Sequence, residues 1–250
     1  MAAAGTIGAR KGNVLRAVVS HHIRTGEPVG SGAVVGRYRL GVSPATIRND
    51  MAALEQMGFL AQPHTSAGRI PTDLGYRFYV DALPRRPSLS EQQLRVIAAF
   101  FGEPPPEMEE ALRRTAFLLS KVTRYGAVTQ PPGAHHVFIG GAANIAAEET
   151  FERRETARRL FELLEEHEES VLALLRSLSD REDVTVRIGR ENPLAAMREV
   201  SLVVAPYRYR GRLAGTIAVI GPTRMHYSNA ISAVDAVSRR LSDLVETLAG

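Results

Sequence analysis

The 250-residue sequence has no cysteine, few aromatics (6%) and no apolar run near the roughly 18 residues of a membrane span. The missing cysteine removes disulfides, thiolate catalysis and every Cys-based zinc site, and it leaves the redox compartment open. Without a long apolar run, no membrane partner is expected. The opening MAAAGTIGARKGN lacks the longer apolar stretch of a secretory signal, so a cytoplasmic protein is expected. There is no internal repeat and no low-complexity tract. A G-x-x-x-x-G-K-[ST] phosphate loop, a Ser/His/Asp order and a paired-carboxylate motif are also missing. The reading is therefore of a non-enzyme with no cofactor.

Apolar residues make up 44% and charged residues 23%, enough to bury cores and too apolar for a disordered chain. Lysine and arginine number 31 against 27 acidic residues, a small excess that is unevenly placed. Residues 1–87 hold 11 Lys/Arg against 5 Asp/Glu, and residues 88–250 hold 20 against 22. A basic N-terminal unit on a near-neutral remainder points to a polyanion-binding module joined to a second domain. Only Lys11 and Lys121 are lysines; genome composition accounts for that bias.

Along the chain, Val14, Leu15, Val18 and Ile23 place a helix over Lys11–Arg24, stopped by Thr25-Gly-Glu-Pro-Val. Ser31 is read as the cap of a short helix to Tyr38, with Val34 and Val35 inward. Ser43 followed by Pro44 is the cap-then-proline order of a helix start. Ile47, Met51 and Leu54 then supply the core face of a helix running to Met57, ended by Gly58. Phe59–Gln62, a small polar loop and Ile70 read as a hairpin, and Pro71-Thr72 opens another amphipathic helix. Leu83–Leu89 reads as a linker. Helices over Ser90–Phe101 and Glu107–Arg124, an irregular stretch over Tyr125–Ala134 and a strand over His136–Gly140 follow. A helix over Glu155–Leu178, strands at Val184–Ile188, Val200–Ala205 and Leu213–Ile220, and a terminal helix over Asn229–Leu248 complete the reading. Strands mixed with covering helices make the second half a small α/β or α+β domain.

Three short helices, a hairpin and a helix form the element order of a winged helix-turn-helix module. A helix entering a major groove needs a small rigid core behind it and polar side chains on its first turns. The helix beginning at Ser43 offers Ser43, Pro44, Ala45, Thr46, Arg48 and Asn49. Arg can fork onto guanine, Asn onto adenine, and Ser or Thr onto bases or phosphates. The hairpin tip carries His64, Thr65, Ser66 and, at its far side, Arg69, small donors and one cation suited to phosphates or the minor groove. Ser31 completes the candidate DNA-binding set. Arg77 is left open between phosphate contact and an ion pair.

These residues stand in blocks that resemble a known family: Glu27-Pro-Val-Gly-Ser31, Ser43-Pro-Ala-Thr-Ile-Arg-Asn-Asp-Met51, Pro63-His-Thr-Ser-Ala-Gly-Arg-Ile-Pro-Thr72 and Gly75-Tyr-Arg-Phe-Tyr-Val-Asp81. The likeness resumes at His136-Val-Phe-Ile-Gly-Gly, Ile188-Gly-Arg-Glu-Asn192, Ser201-Leu-Val-Val-Ala205 and Gly215-Thr-Ile-Ala-Val-Ile-Gly-Pro-Thr-Arg-Met225. Together they resemble the heat-inducible transcription repressor family HrcA. The resemblance implies an α+β chain: a winged-helix DNA-binding domain over 1–83, linker helices and a shortened central segment over 84–135, and a GAF-like α/β domain over 136–250. It further implies a homodimeric repressor of chaperone genes on an inverted-repeat operator in double-stranded DNA, kept active by a GroEL-type chaperonin. Between Arg124 and His136, family members carry a much longer segment holding early strands of the GAF-like domain and an inserted dimerisation domain. Here only Tyr125–His135 fills that place, so the resemblance assigns the family's dimer contacts to no residue of this chain. An incomplete sheet would leave an open strand edge.

Other features have plainer readings. Neither His21-His22 nor His135-His136 has a carboxylate at ligand spacing, and neighbours on a helix point apart, so no metal is expected. Glu165-Glu-His-Glu-Glu169 reads as a solvated helix face. Gly140-Gly-Ala-Ala-Asn144 and Gly221-Pro-Thr-Arg224 read as tight turns, with a small-molecule site in the C-terminal domain as the alternative. In that alternative the chain is a metabolite-responsive repressor.

Overall fold

The computed structural model describes residues 7–38, 41–65, 67–84, 89–133, 136–146, 154–166, 168–179 and 183–248. The chain divides into two compact units, Met1–Pro84 and Arg85–Gly250. Together they mix helices with antiparallel sheet. Among the described residues, no helix is long and apolar enough to cross a membrane.

The first unit contains α1 (Ala9–Thr25), α2 (Ser31–Arg37), α3 (Pro44–Gln56), β1 (Leu60–Ala61), β2 (Ile70–Pro71) and α4 (Asp73–Asp81). Val14, Leu15 and Val18 of α1, Val34 of α2 and Ile47, Met51 and Leu54 of α3 make one apolar core. Gly26 ends α1 at φ 71°, its N–H returning to the His22 carbonyl at 2.8 Å. The two short strands pair antiparallel, Leu60 with Pro71 and Ala61 with Ile70. Val29 adds a third, one-residue strand by pairing with Arg69. Thr72 caps α4 by accepting the Gly75 N–H at 3.2 Å and donates its hydroxyl to the Gly58 carbonyl at 2.6 Å. A Cβ on Gly75 would lie 2.3 Å from the Phe59 carbonyl oxygen, so a bare backbone is what lets α4 seat on the ribbon.

The second unit contains α5 (Glu91–Gly102), α6 (Met108–Thr123), β3 (Gly126–Gln130), β4 (Phe138–Gly140), α7 (Ala142–Ala146), α8 (Arg154–Glu166), α9 (Glu168–Leu178), β5 (Thr185–Ile188), β6 (Val200–Tyr209), β7 (Arg212–Pro222) and α10 (Tyr227–Leu248). Its five strands run in the order β4-β3-β7-β6-β5, every neighbour antiparallel. Val128, Leu202, Val204, Ala218 and Ile220 pack on Leu160 and Leu163 of α8 and Val171, Leu174 and Leu175 of α9. The alternate residues serve the opposite layer. Thr129 donates its hydroxyl to the Leu112 carbonyl of α6, and Ser201 meets the Tyr227 hydroxyl of α10 at 2.8 Å. Covered on both sides, β6 is buried from Val200 to Tyr207, which explains why its residues are apolar on both faces from Leu202 onward.

Two sequence expectations change. The stretch 125–134, expected to be irregular, contains β3, which lies inside the sheet between β4 and β7. Segment 84–135, expected as linker and remnant, contributes α5, α6 and β3 to the second unit. The stretch expected as a helix over Glu155–Leu178 is helical over both of its described parts, α8 and α9, with His167 outside the described residues.

The Gly140-Gly141 turn is built for packing. A Cβ on Gly140 would meet the Ala116 carbonyl oxygen at 2.3 Å, and one on Gly141 the Ser120 hydroxyl at 1.9 Å. Asn144 then donates to that hydroxyl at 2.9 Å and to the Tyr125 carbonyl at 3.3 Å, closing the end of α6.

Candidate nucleic-acid interface

The residues singled out around Ser43 sit on the first turns of α3. Ser43 is extended (φ −69°, ψ 156°), its Oγ accepts the Thr46 N–H at 3.2 Å, and Pro44 takes the first helical position, where no backbone donor is needed. The helix then turns Ile47, Met51 and Leu54 into the core. Ser43, Pro44, Ala45, Arg48 and Asn49 are left exposed, and Thr46 half-buried. The Ser43 and Thr46 hydroxyls lie 3.0 Å apart, so both are committed first to the cap. Arg48 and Asn49 therefore form the free polar edge of a helix start whose unpaired N–H groups favour anions.

Between that edge and the core lies Asp50, 3% exposed. Arg10 of α1 answers it with a two-pronged contact, Nε to Oδ2 at 2.8 Å and Nη2 to Oδ1 at 3.0 Å. The pairing raises the Arg10 guanidinium above its ordinary range, chiefly through the hydrogen bond to Asp50. A buried carboxylate is stable only with such a partner, and here it pins the start of α1 to the middle of α3. Sequence reading missed the pair, because forty positions separate its members and neither carries a local signal.

The ribbon between β1 and β2 brings a second polar edge. His64 and Thr65 are exposed at its tip, while Ser66 lies outside the described residues. Gln62 shapes the loop by donating its amide to the Thr65 and Ala67 carbonyls, both at 3.0 Å. Gly68 passes so close to the α1–α2 connection that a Cβ would come 2.5 Å from the Val29 carbonyl carbon and 2.8 Å from that of Pro28. Immediately after it, Arg69 and Val29 exchange backbone hydrogen bonds at 2.9 and 3.0 Å.

The remaining candidates sit differently from their sequence reading. Ser31 is the first residue of α2 and does not cap it; Gly30 holds the cap position, without a side-chain bond. Val29 is held extended by its bridge to Arg69, so the helix begins directly after Gly30. Arg69 lies at the base of the ribbon, and its Nε grips Glu55 of α3 at 2.9 Å with side chains 17% and 33% exposed. Arg69 thus ties ribbon to helix, and neither residue's spacing announced the pair. Arg77 reaches Asp81 at 3.3 Å within α4. His22 is buried with its Nδ1 2.7 Å from the Tyr76 hydroxyl. His21 is pushed below its ordinary pKa by burial and by Arg24 and Arg37. Among the described residues no group of three or more His, Asp or Glu is placed to hold a metal ion.

Comparison with known proteins adds three findings. A family model described as the HrcA protein C terminal domain matches residues 129–231. The heat-inducible transcription repressor HrcA of Pelotomaculum thermopropionicum is 31% identical, covering 96% of this chain and 97% of its own. That of Moorella thermoacetica is 30% identical, covering 96% and 98%. The alignments run over 338 and 339 positions, so the relatives carry a long stretch that this 250-residue chain does not. A crystal structure of a hypothetical protein at 2.2 Å resolution shares the fold, with a TM-score of 0.82 at 21% identity over 97% of this chain and 100% of its own.

Proposed function

The chain belongs to the HrcA family of heat-inducible transcription repressors, a family of regulators and not of enzymes, and from that premise we propose how it acts on DNA. Residues 1–83 form a winged helix-turn-helix head. Its α3 enters the major groove, with Arg48 forked onto a guanine, Asn49 onto an adenine and Ala45 against a thymine methyl. Ser43, Pro44 and Thr46 bring the helix start against the phosphates, as does Ser31 at the start of α2. The ribbon is the wing, and His64, Thr65 and Ser66 lie along the backbone or minor groove. Arg69 acts one step back, holding the wing at a set angle to α3 through Glu55.

One observation carries this reading: α3 buries Ile47, Met51 and Leu54 while leaving Arg48 and Asn49 exposed on its opening turns. Arg48→Ala tests it. The change should cost about 1–3 kcal/mol on the specific operator and much less on random duplex. Equal losses on both would refute base reading by Arg48.

The wider scheme follows the family. Two copies read an inverted repeat, since a two-fold protein matches a two-fold site. The GAF-like second unit carries the heat response in the cytoplasm. A stability of a few kcal/mol is largely lost on modest heating, and a repressor released from its pair of half-sites loses the gain of linked binding. A GroEL-type chaperonin that refolds released repressor makes repression follow free chaperonin. Sedimentation of the chain with and without inverted-repeat DNA tests the pairing: a two-to-one complex supports it, and a monomer on every DNA refutes it. Operator affinity unchanged through heat-shock temperatures would refute the thermal part.

A further inference from the structure

Residues 88–250 hold nearly equal numbers of basic and acidic side chains, yet the β6–β7 hairpin ends in a cluster of one sign. Arg208, Arg210 and Arg212 fall within five positions, with no acidic residue among them. Tyr209 pairs with Arg212 across the turn, so Arg210 and Gly211 alone make the connection. Both stand at positive φ, 49° and 74°, the two-residue turn that suits the twist of a hairpin. Asn, Asp or Gly usually fills its first place, because a longer side chain at positive φ crowds the backbone. A strained arginine at the apex, where glycine would serve the fold better, points to a use for its charge.

The tip is also held in place. The register slips between Tyr207 and Arg208, a bulge that bends the end of the hairpin. One helical turn apart on α10, the Ser242 hydroxyl accepts the Arg208 N–H at 2.9 Å and the Glu246 carboxylate accepts the Arg210 N–H at 3.3 Å. The Arg208 guanidinium donates to the Gly211 carbonyl at 3.2 Å, and that of Arg210 lies over the Tyr209 ring, 5.1 Å from its centre. Arg210, Gly211 and Arg212 are exposed, and Arg208 is half-buried. Among the described residues, none of these three guanidiniums forms an ion pair. Three like charges on a braced projection make a local positive field that a row of phosphates neutralises. The planar guanidinium fork suits phosphate oxygens.

We propose that the β6–β7 tip is a second, sequence-independent DNA contact, Arg210 and Arg212 gripping backbone phosphates while Arg208 adds to their field. This rests on the reading of the chain as a DNA-binding repressor, and the experiment separates the two. The full chain is titrated onto an inverted-repeat operator duplex and onto a random duplex of equal length across a range of salt. Arg210→Gly and Arg212→Gln should each lower the salt slope by about 1, and the double variant by about 2, with equal losses on both duplexes. R210G relieves the positive φ, so it should melt no earlier than the parent, and its weaker binding is then not a folding defect. R95Q removes an exposed arginine of α5 and should leave the slope unchanged. Unchanged slopes in the tip variants, with operator preference intact, would overturn the proposal and leave the N-terminal head standing. Flattened slopes in a chain that prefers no duplex would do the reverse. A loss confined to the operator, or equal flattening in R95Q, would also overturn it. So would tip-dependent binding to phosphatidylglycerol vesicles with duplex slopes unaltered, which would assign the tip to a lipid surface.

Discussion

Gly68→Ala tests the join between ribbon and helices most sharply. The added methyl would sit 2.5 Å from the Val29 carbonyl carbon, 2.6 Å from its oxygen and 2.8 Å from the Pro28 carbonyl carbon. All three are backbone atoms, so no side chain can swing aside. Restoring ordinary contact means opening the ribbon from the α1–α2 connection by roughly 0.5–1 Å. The two hydrogen bonds between Val29 and Arg69, at 2.9 and 3.0 Å, lie next door and do not survive such a shift intact. Two backbone bonds at about 1 kcal/mol each, with an overpacking cost of about 1–3 kcal/mol, give a loss of about 3–5 kcal/mol. In a unit of this size each kcal/mol moves the midpoint by about 4–8 °C. The control is Gly36→Ala in α2, where a Cβ meets nothing within 4 Å. There the helix should gain about 0.5–1 kcal/mol. The assay is thermal and urea unfolding of the full chain, followed by titration onto operator DNA. If G68A melted within about 0.5 kcal/mol of the parent, or if G36A were the worse of the two, the packing argument would be wrong.

Further outcomes follow from the same geometry. Arg69→Ala, Glu55→Ala and the double variant should show a coupling below about 1 kcal/mol in stability, as for a half-exposed pair, and a shared rather than additive loss of DNA affinity. Strict additivity on DNA would mean that Arg69 touches the duplex directly. Burial raises the Tyr207 phenol well above its ordinary value, and its hydroxyl donates to the Gln130 carbonyl at 2.7 Å. The neutral form is the one the fold favours, so that contribution is complete below pH 10 and drains away as pH climbs above it. Unfolding curves from pH 9 to 12 should steepen in the parent and less in Tyr207→Phe; identical slopes would dismiss this account.

What could be read from sequence was what is encoded locally. Ser43-Pro44 announces a helix start, Ile47, Met51 and Leu54 repeat at helical spacing, and Gly58 marks the stop, so α3 and its exposed edge were legible. Features resting on distant partners were not. β3 has one large apolar residue, Val128, between Tyr-Gly and Pro-Pro-Gly, and looks like loop until β7 and β4 stand on either side of it. Arg69 looked like a hairpin-tip cation because nothing nearby competes for it; Glu55, fourteen positions away, does. Ser31 has the chemistry of a cap, but the bridge at Val29 sets where the helix begins. The Asp50–Arg10 clamp is silent in sequence for the same reason.

The placement of β3 has a consequence for synthesis. Gly126 pairs with Ile220 and Gln130 with Thr216, so this inner strand leaves the ribosome long before the neighbour that completes it. Translation at about 5–20 residues per second makes that interval on the order of 5–20 seconds. Throughout it, β3 and β4 can form only a two-stranded hairpin backed by α6, with the β3 edge left open. The hairpin of β6 and β7 closes quickly once made, whereas docking it onto β3 must pay the entropy of a long loop. Each newly made copy therefore passes through a sticky, half-built sheet, and the yield of finished protein depends on how crowded the surroundings are at that moment.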